Sequence, residues 1–202
     1  MRIILASGSP RRKELLSREG ISFTVIPAEG DEVIRGTEPA EIVRNLSYNK
    51  ASEVADRVAA DKADGKSAGD AADDNYVVIG ADTVVSYKGK ILGKPADHEE
   101  AAAMLRMLNG GTHQVYTGVT VICVKNGYRT EKVFHECTDV VFREVPDEDI
   151  IEYASSEEPM DKAGAYAIQG SWGKNIREIH GDYDNVVGLP VKRVVKELEV
   201  LC

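Results

Sequence analysis

The hydrophobic pattern in the first half of the chain alternates between short apolar runs and amphipathic segments. Apolar runs at residues 3–6 and 76–85 predict strands that are covered on both faces of a sheet. Helices are predicted to begin at Pro10, after the N-cap residue Ser9, and at residues 37–39, the second continuing to about residue 58. This alternation of strands and helices is typical of an α/β fold.

The second half of the chain has a different pattern, in which strands follow one another closely. Strands are predicted at residues 115–124 and 133–142, and Asn126-Gly127 between them is a strong hairpin signal. Another hairpin turn is predicted near Lys88-Gly89, and residues 190–201 form an amphipathic helix pattern. Together the two halves predict an α/β fold built on a mixed, twisted sheet that is flanked by helices.

Length, composition and charge narrow the class of protein. A chain of 202 residues with this balance of apolar and charged residues suits one globular domain, residues 1–202. The formal net charge of −9 argues against a nucleic-acid or membrane-surface partner, because both need clustered cations. There is no apolar run of the ~20 residues that span a membrane, and no secretory signal pattern, so we expect a cytoplasmic protein. The cysteines and histidines lack disulfide, zinc-site or catalytic spacing.

The segment after the first strand carries a signal for anion binding. The small-residue loop 7–9 leads into a predicted helix whose first turn contains Arg11, Arg12 and Lys13. Cations at the positive end of a helix dipole cost about 0.3–1 kcal/mol each, a cost that a bound anion would offset. The segment therefore predicts a phosphate site, although it matches neither the Walker nor the dinucleotide-binding motif. A solvated basic helix is the alternative interpretation.

Asp82 is unusual because it interrupts an apolar strand, where an unpaired carboxylate would be costly to bury. Gly80, two residues earlier, would allow a close approach to the backbone. Asp82 could be a structural residue that caps a turn, or a metal ligand or general base beside the phosphate site. Glu29, Asp31 and Glu32 could supply a second carboxylate, or they could be solvated loop charges.

Residues 157–170 form the third informative segment, in which charged residues lead into small residues and a short apolar strand ending at Gln169. The amide of Gln169 can both donate and accept hydrogen bonds, which suits the edge of a nucleobase. Lys162 could meet a phosphate, and Asp161 could contact a water on a metal ion or Lys162 itself. A surface loop that runs into a strand explains the same pattern, so this segment alone does not decide between the two.

Taken together, these segments resemble one family. The chain is similar to the Maf family of nucleoside triphosphate pyrophosphatases in the stretches LASGSPRRKELL, VIGADTVV, GKP, EEPMDKAGAYAIQG and GDYDNVVGLP. The likeness runs in order from Ile4 to about Val195, and the DKAGAYAIQG form resembles the branch that acts on dTTP and UTP. The resemblance implies two lobes around a cleft, a nucleoside triphosphate substrate, and hydrolysis to the monophosphate and pyrophosphate.

The resemblance also implies roles for individual positions. It places the catalytic aspartate at Asp82 and the base-specificity positions at Arg11, Thr83 and Gln169. The further substrate-binding positions that it implies are Ser7, Arg12, Lys50, Lys94, Asp161 and Lys162. It implies a divalent metal, Mg²⁺ or Mn²⁺, held by Asp82, Glu32 and the triphosphate, and a homodimer. The chain departs from the family pattern at residues 59–75, expected to be a surface insertion, and at residues 171–175.

The combined hypothesis is an enzyme in which water attacks between the α and β phosphoryl groups. Asp82 would orient or deprotonate that water, while the nearby cations would offset phosphate charge. Two alternatives stay open: a purine-directed pyrophosphatase of the inosine triphosphate type, and a nucleotide-binding regulatory module that acts in cell division without significant hydrolysis. Base preference distinguishes the first alternative from the main hypothesis, and measured turnover distinguishes the second.

Overall fold

The structure is a computed structural model that describes residues 1–30, 33–34, 36–64 and 75–201. The strands are β1 (Arg2–Leu5), β2 (Thr24–Val25), β3 (Tyr76–Tyr87), β4 (Lys90–Leu92), β5 (Thr112–Lys125), β6 (Tyr128–Phe142) and β7 (Ile176–His180). The helices are α1 (Pro10–Arg18), α2 (Pro39–Ala63), α3 (His98–Leu108), α4 (Asp147–Ala154), α5 (Tyr183–Val187) and α6 (Val191–Leu201). Two short 3₁₀ turns lie at Ala163–Ala165 and Ser171–Asn175.

The strands of the described residues form a single mixed sheet in the order β2-β1-β3-β5-β6-β7, with β4 paired to β3. Strand β1 is parallel to both β2 and β3, whereas β4 is antiparallel to β3 and β7 is antiparallel to β6. The parallel strands come from the helix-alternating first half of the chain. The antiparallel pairs are the β3–β4 hairpin and the pair of β6 with β7, which follows α4 and the two 3₁₀ turns. The predicted α/β fold with a mixed sheet flanked by helices is therefore confirmed.

The chain divides into two compact units, each with its own hydrophobic core. The first unit comprises Met1–Asp82, Gly118–His135 and Gly188–Cys202, and the second comprises Thr83–Thr117 and Glu136–Val187. The core of the first unit contains Ile4, Ala51, Val54, Val78 and Ile122, among others. The core of the second contains Leu105, Leu108, Phe142, Tyr166 and Trp172, among others. The single domain and the cleft expected from the sequence stay predictions.

Both hairpin turns predicted from sequence are confirmed by their backbone geometry. Lys88 and Gly89 have φ angles of 50° and 78°, and Asn126 and Gly127 have φ angles of 53° and 80°. Two consecutive positive φ values are what the favoured two-residue hairpin turns require, and Gly and Asn adopt them at the lowest cost. These turns fix the pairing of β3 with β4 and the connection between β5 and β6.

Two local predictions were wrong. Helix α2 reaches Ala63, past the predicted end near residue 58, because Ala and Lys favour a helix even where no large apolar residue is present. The predicted strand ending at Gln169 does not exist: Gly164 and Ala165 have φ angles of 70° and 60°, which turn the backbone where a strand would have to extend. The predicted insertion at residues 59–75 lies, for residues 65–74, outside the described part of the chain.

Candidate active site

The loop between β1 and α1 holds one of the predicted phosphate-binding arginines in a defined position. Arg12 donates from Nε to the carbonyl oxygen of Gly188 at 2.8 Å and from Nη1 to Oγ of Ser7 at 3.1 Å. The same Ser7 oxygen accepts from the backbone N–H of Ser9 at 3.3 Å, and Ser7 is only 7% exposed. Ser7 and Arg12 are therefore brought together, with Arg11 half-buried beside them at the start of α1.

Lys50 and Asp82 form an ion pair within the first unit. Nζ of Lys50 lies 2.6 Å from Oδ1 of Asp82, and the two side chains are 18% and 11% exposed. The contact exists because α2 lies directly on β3 at Gly80, where a Cβ atom would be 2.4 Å from the carbonyl oxygen of Ser47 and 2.8 Å from Cβ of Ala51. Asp82 is on the same face of the strand as Gly80, so the turn of α2 that carries Lys50 faces it.

A second glycine allows α2 to pack closely on the neighbouring strand, β5. A Cβ atom at Gly118 of β5 would lie 2.2 Å from the carbonyl oxygen of Val43 in α2. Two residues along, the hydroxyl of Thr120 is 3.0 Å from that of Ser47, and both residues are fully buried. The position of Lys50 is thus set by the close packing of helix backbone on two strands and not by its side chain alone.

The acidic loop that follows β2 is anchored to α2. The carboxylate of Glu53 accepts hydrogen bonds from the backbone N–H groups of Glu29 at 2.8 Å and Gly30 at 3.0 Å, which lower the pKa of Glu53. Arg57 donates to the carbonyl oxygen of Pro27 at 2.6 Å and lies 3.3 Å from the Glu29 carboxylate. Glu53 and Arg57 were not predicted from the sequence, because no pattern of neighbouring residues shows that a helix side chain binds the backbone of a distant loop.

Glu32, the second predicted metal ligand, lies outside the described residues, as does Asp31. Glu29, the remaining acidic residue of that loop, has a side chain that is 80% exposed and paired with Arg57. Of the two interpretations open for Glu29 in the sequence, the solvated loop charge therefore describes it.

In the second unit, Thr83 belongs to a chain of hydroxyl groups. Its Oγ1 lies 2.9 Å from Oγ1 of Thr117, which donates to the carbonyl oxygen of Asn185 at 2.9 Å. A hydroxyl has one proton, so Thr117 uses its own on Asn185 and must accept from Thr83. Asn185 is in turn held by hydrogen bonds from Nδ2 to the carbonyl oxygen of Val115 at 3.0 Å and to Oγ1 of Thr138 at 2.9 Å.

The other predicted site residues of the second unit lie in irregular segments. Asp161 and Lys162 form an ion pair in which the ammonium side chain is 14% exposed and the carboxylate side chain 66%. Lys94 and Gln169 are exposed on the surface of this unit. The backbone N–H of Gly164 donates to the carbonyl oxygen of Gly93 at 3.0 Å, and this bond joins the segment that carries Lys162 to the segment that carries Lys94.

A comparison with protein families bears on these interpretations. The family model of Maf-like proteins matches residues 2–201. The chain belongs to the Maf family. The resemblance read from the sequence motifs is thus confirmed over nearly the full length, whereas the roles of the individual site residues stay predictions.

Three named relatives are similar to this Maf protein over nearly the whole length of each chain. The dTTP/UTP pyrophosphatase of Agathobacter rectalis is 52% identical over 200 residues, covering 98% of this chain and 97% of the relative. The dTTP/UTP pyrophosphatases of Lachnoclostridium phytofermentans and Bacillus thuringiensis subsp. konkukian are each 45% identical over 199 residues. These matches cover 98% of this chain and 93% and 94% of the two relatives. In the described residues of the chain, no helix is long and apolar enough to cross a membrane.

Proposed function

We propose that this Maf protein hydrolyses dTTP and UTP to the nucleoside monophosphate and pyrophosphate. The names of the relatives support the activity and the branch, since the similarity extends over nearly the whole of each chain. The observation that carries the proposal is the ion pair of Lys50 and Asp82, because it joins a cation to the carboxylate that the family resemblance implies is catalytic, on a largely buried strand. A buried carboxylate that interrupts an apolar strand needs such a partner, and a triphosphate needs both groups.

The chemistry assigned to this pair is attack of water on the α phosphorus. The water oxygen forms a bond to that phosphorus while the bond to the oxygen bridging the α and β phosphoryl groups breaks. Pyrophosphate leaves with the electron pair of the broken bond, and the water proton passes to Asp82. Asp82 orients the water and accepts its proton, and Lys50, 2.6 Å away, keeps the carboxylate oriented.

Cations of the first unit are proposed to stabilise the phosphate charge. The ammonium of Lys50 has three donors, so contact with one carboxylate oxygen leaves it able to reach phosphate oxygens as well. The guanidinium of Arg12 is held by Ser7 and Gly188, an arrangement that limits its movement before an anion binds. A donor that is already in place when charge develops stabilises the transition state more than one that must first be ordered.

The donor set fits a divalent cation that is held largely by the substrate. Among the described residues no group of three His, Cys, Asp or Glu side chains could hold a metal ion, and Asp82 supplies one carboxylate. Mg²⁺ is usually bound by one or two carboxylates together with substrate phosphates, so Asp82, with Glu32 as the second predicted ligand, suits that mode. When bound, Mg²⁺ or Mn²⁺ would supply charge neutralisation and polarisation of phosphoryl oxygens.

Base preference is assigned to Arg11, Thr83 and Gln169 on the family resemblance. Gln169 suits this role because its amide can pair with a pyrimidine edge that carries both a donor and an acceptor. The proposal also includes a homodimer, on family resemblance alone.

The test is pyrophosphate release from purified protein with dTTP, UTP, CTP, ITP and methylated GTP, each with Mg²⁺, Mn²⁺ or EDTA. We expect metal-dependent release that is strongest with dTTP and UTP and is lost in Asp82→Asn. Asp147→Asn is the matched control, because Asp147 is paired with Arg106 on the surface of the second unit. Preference for ITP would indicate the purine-directed alternative, and no release from any nucleotide by a folded protein would indicate the regulatory module.

A further inference from the structure

The carboxylate of Glu158 collects several hydrogen bonds from one short segment of the second unit. Its Oε1 accepts from the backbone N–H of Ser171 at 2.9 Å, and its Oε2 accepts from the Ser171 hydroxyl at 2.9 Å. Oε1 also accepts from the hydroxyl of Tyr153 at 3.1 Å. Hydrogen bonds to an ionised acceptor are about twice as strong as neutral ones, so this side chain fixes the backbone at Ser171.

Gly170 provides the space that the Glu158 carboxylate occupies. A Cβ atom at Gly170 would lie 1.7 Å from Oε1 and 2.6 Å from Cδ of Glu158, so any larger residue would displace the carboxylate. The φ angle of Gly170 is −99°, which other residues adopt readily. Glycine is therefore needed here for the close approach of Glu158 and not for the backbone angle.

Tyr153 holds the Glu158 carboxylate from the core of the second unit. The side chain of Tyr153 is buried in the core of the second unit. Burial is the main cause that raises the pKa of its hydroxyl, and the negative charge of Glu158 is the second. Glu158, which Tyr153 itself contacts, thus holds the chain at Ser171, two residues after Gln169.

We propose that Glu158 is a positioning residue for base recognition, which acts by fixing the backbone that presents Gln169. The proposal rests on the function proposed above, in which Gln169 reads the pyrimidine edge. The side chain of Gln169 is exposed, so its direction depends on the backbone on which it is carried. A recognition amide that is held in place loses less conformational freedom when substrate binds, and it excludes bases with the wrong edge more strongly.

Glu158→Gln tests the proposal, because it keeps the shape of the side chain but offers only one acceptor oxygen to the donors of Ser171 and Tyr153. We expect the ratio of kcat/KM for dUTP to that for dCTP to fall about tenfold, as for the loss of one charged hydrogen bond. The loss should appear mainly in KM for dUTP, since Asp82 and Lys50 are unchanged. Glu157→Gln is the matched control, because Glu157 is exposed and should leave the ratio as in the wild type.

A role through Gln169 is separated from a general loss of stability by a double-variant cycle. In a Gln169→Ala background, Glu158→Gln should leave the dUTP to dCTP ratio unchanged, since the group that it positions is absent. Ser171→Ala, which removes only the hydroxyl donor, should shift the ratio of the wild type in the same direction by less. It also supplies the measurement if Glu158→Gln does not fold.

Binding of α,β-imido analogues of dUTP and dCTP, measured by calorimetry, gives the same ratio without turnover. If hydrolysis of every nucleotide fails but the analogue ratio falls in Glu158→Gln, the proposed catalysis is wrong and the positioning role stands. An unchanged ratio in a folded Glu158→Gln protein would overturn the positioning role. An equal fall in the Gln169→Ala background would overturn it as well.

Discussion

Gly80→Ala perturbs the candidate site through the backbone, without changing a residue that contacts substrate. The added Cβ would lie 2.4 Å from the carbonyl oxygen of Ser47 and 2.8 Å from Cβ of Ala51, both in α2. Ordinary contact needs at least 3.4 Å, so the helix has to move away from β3 by about 1 Å. Overpacking of this kind costs about 1–3 kcal/mol of unfolding free energy.

The same displacement should lengthen the contact of 2.6 Å between Lys50 and Asp82. A misplacement of about 1 Å in a catalytic group can reduce the rate about 100-fold, so we expect kcat to fall far more than stability would explain. The assay combines thermal unfolding with pyrophosphate release from dTTP at a temperature well below the lowered Tm. A loss of about 2–4 °C in Tm for each kcal/mol is expected for a chain of this size.

Val78→Ala is the matched control for the effect of destabilisation alone. Val78 is fully buried beneath the same helix, in the core cluster that includes Ala51 and Val54. Its truncation removes contacts, at about 1–3 kcal/mol, without pushing the helix outward. Near-normal kcat in Gly80→Ala, or an equal fall in kcat in Val78→Ala, would refute the reasoning. In either case the close packing of α2 on Gly80 would not control activity through the contact of Lys50 with Asp82.

Three further predictions concern separate features of the chain. Asp82→Asn should reduce kcat about 10²–10⁴-fold with the circular dichroism spectrum unchanged, and activity within tenfold of the wild type would exclude a catalytic role. Burial lowers the pKa of His113 from 6.5 to about 4, so the unfolded chain binds a proton that the folded chain does not. The free energy of unfolding should therefore fall by about 3 kcal/mol as pH decreases from 6.5 to 4. Urea titrations at several pH values measure this change. The same dependence of unfolding free energy on pH in His113→Gln would contradict the prediction. Gly127→Ala should cost about 1 kcal/mol, because a φ of 80° strains a residue with a side chain, whereas the added Cβ would meet no atom within 4 Å beyond its chain neighbours. An unchanged Tm would show that the turn tolerates a side chain.

Much of the fold could be predicted because its signals are local. The hairpin at Asn126-Gly127 needs two positive φ values, and these residue types adopt them at low cost, so the turn can be recognised from two letters. The turn at Gly164-Ala165 could not be recognised in this way, since alanine rarely adopts a φ of 60° and does so here in a fully buried position. The strand predicted to end at Gln169 was wrong for this reason.

The candidate site was predictable in part. Asp82 stands out in the sequence because a carboxylate within an apolar strand requires a partner, but the sequence does not say which one. Lys50 was assigned by family resemblance alone, and its contact with Asp82 joins residues that are 32 positions apart. Glu158 was part of an informative segment, yet its contacts with Ser171 depend on how the loop folds back 13 residues later.

The sequence by itself determined the α/β class, most of the strands and helices that it predicted, the hairpin turns, the family and the residues with unusual chemistry. These follow from properties of neighbouring residues, such as apolar periodicity, turn preference and the cost of burying charge, and from motifs that lie in order along the chain. Only the tertiary structure decided which distant groups meet. The pair of Lys50 and Asp82 depends on the close packing of α2 on Gly80 and Gly118, and the contact of the Glu158 carboxylate with Ser171 depends on the space beside Gly170. Such contacts are fixed by packing between elements far apart in sequence, which no local pattern encodes.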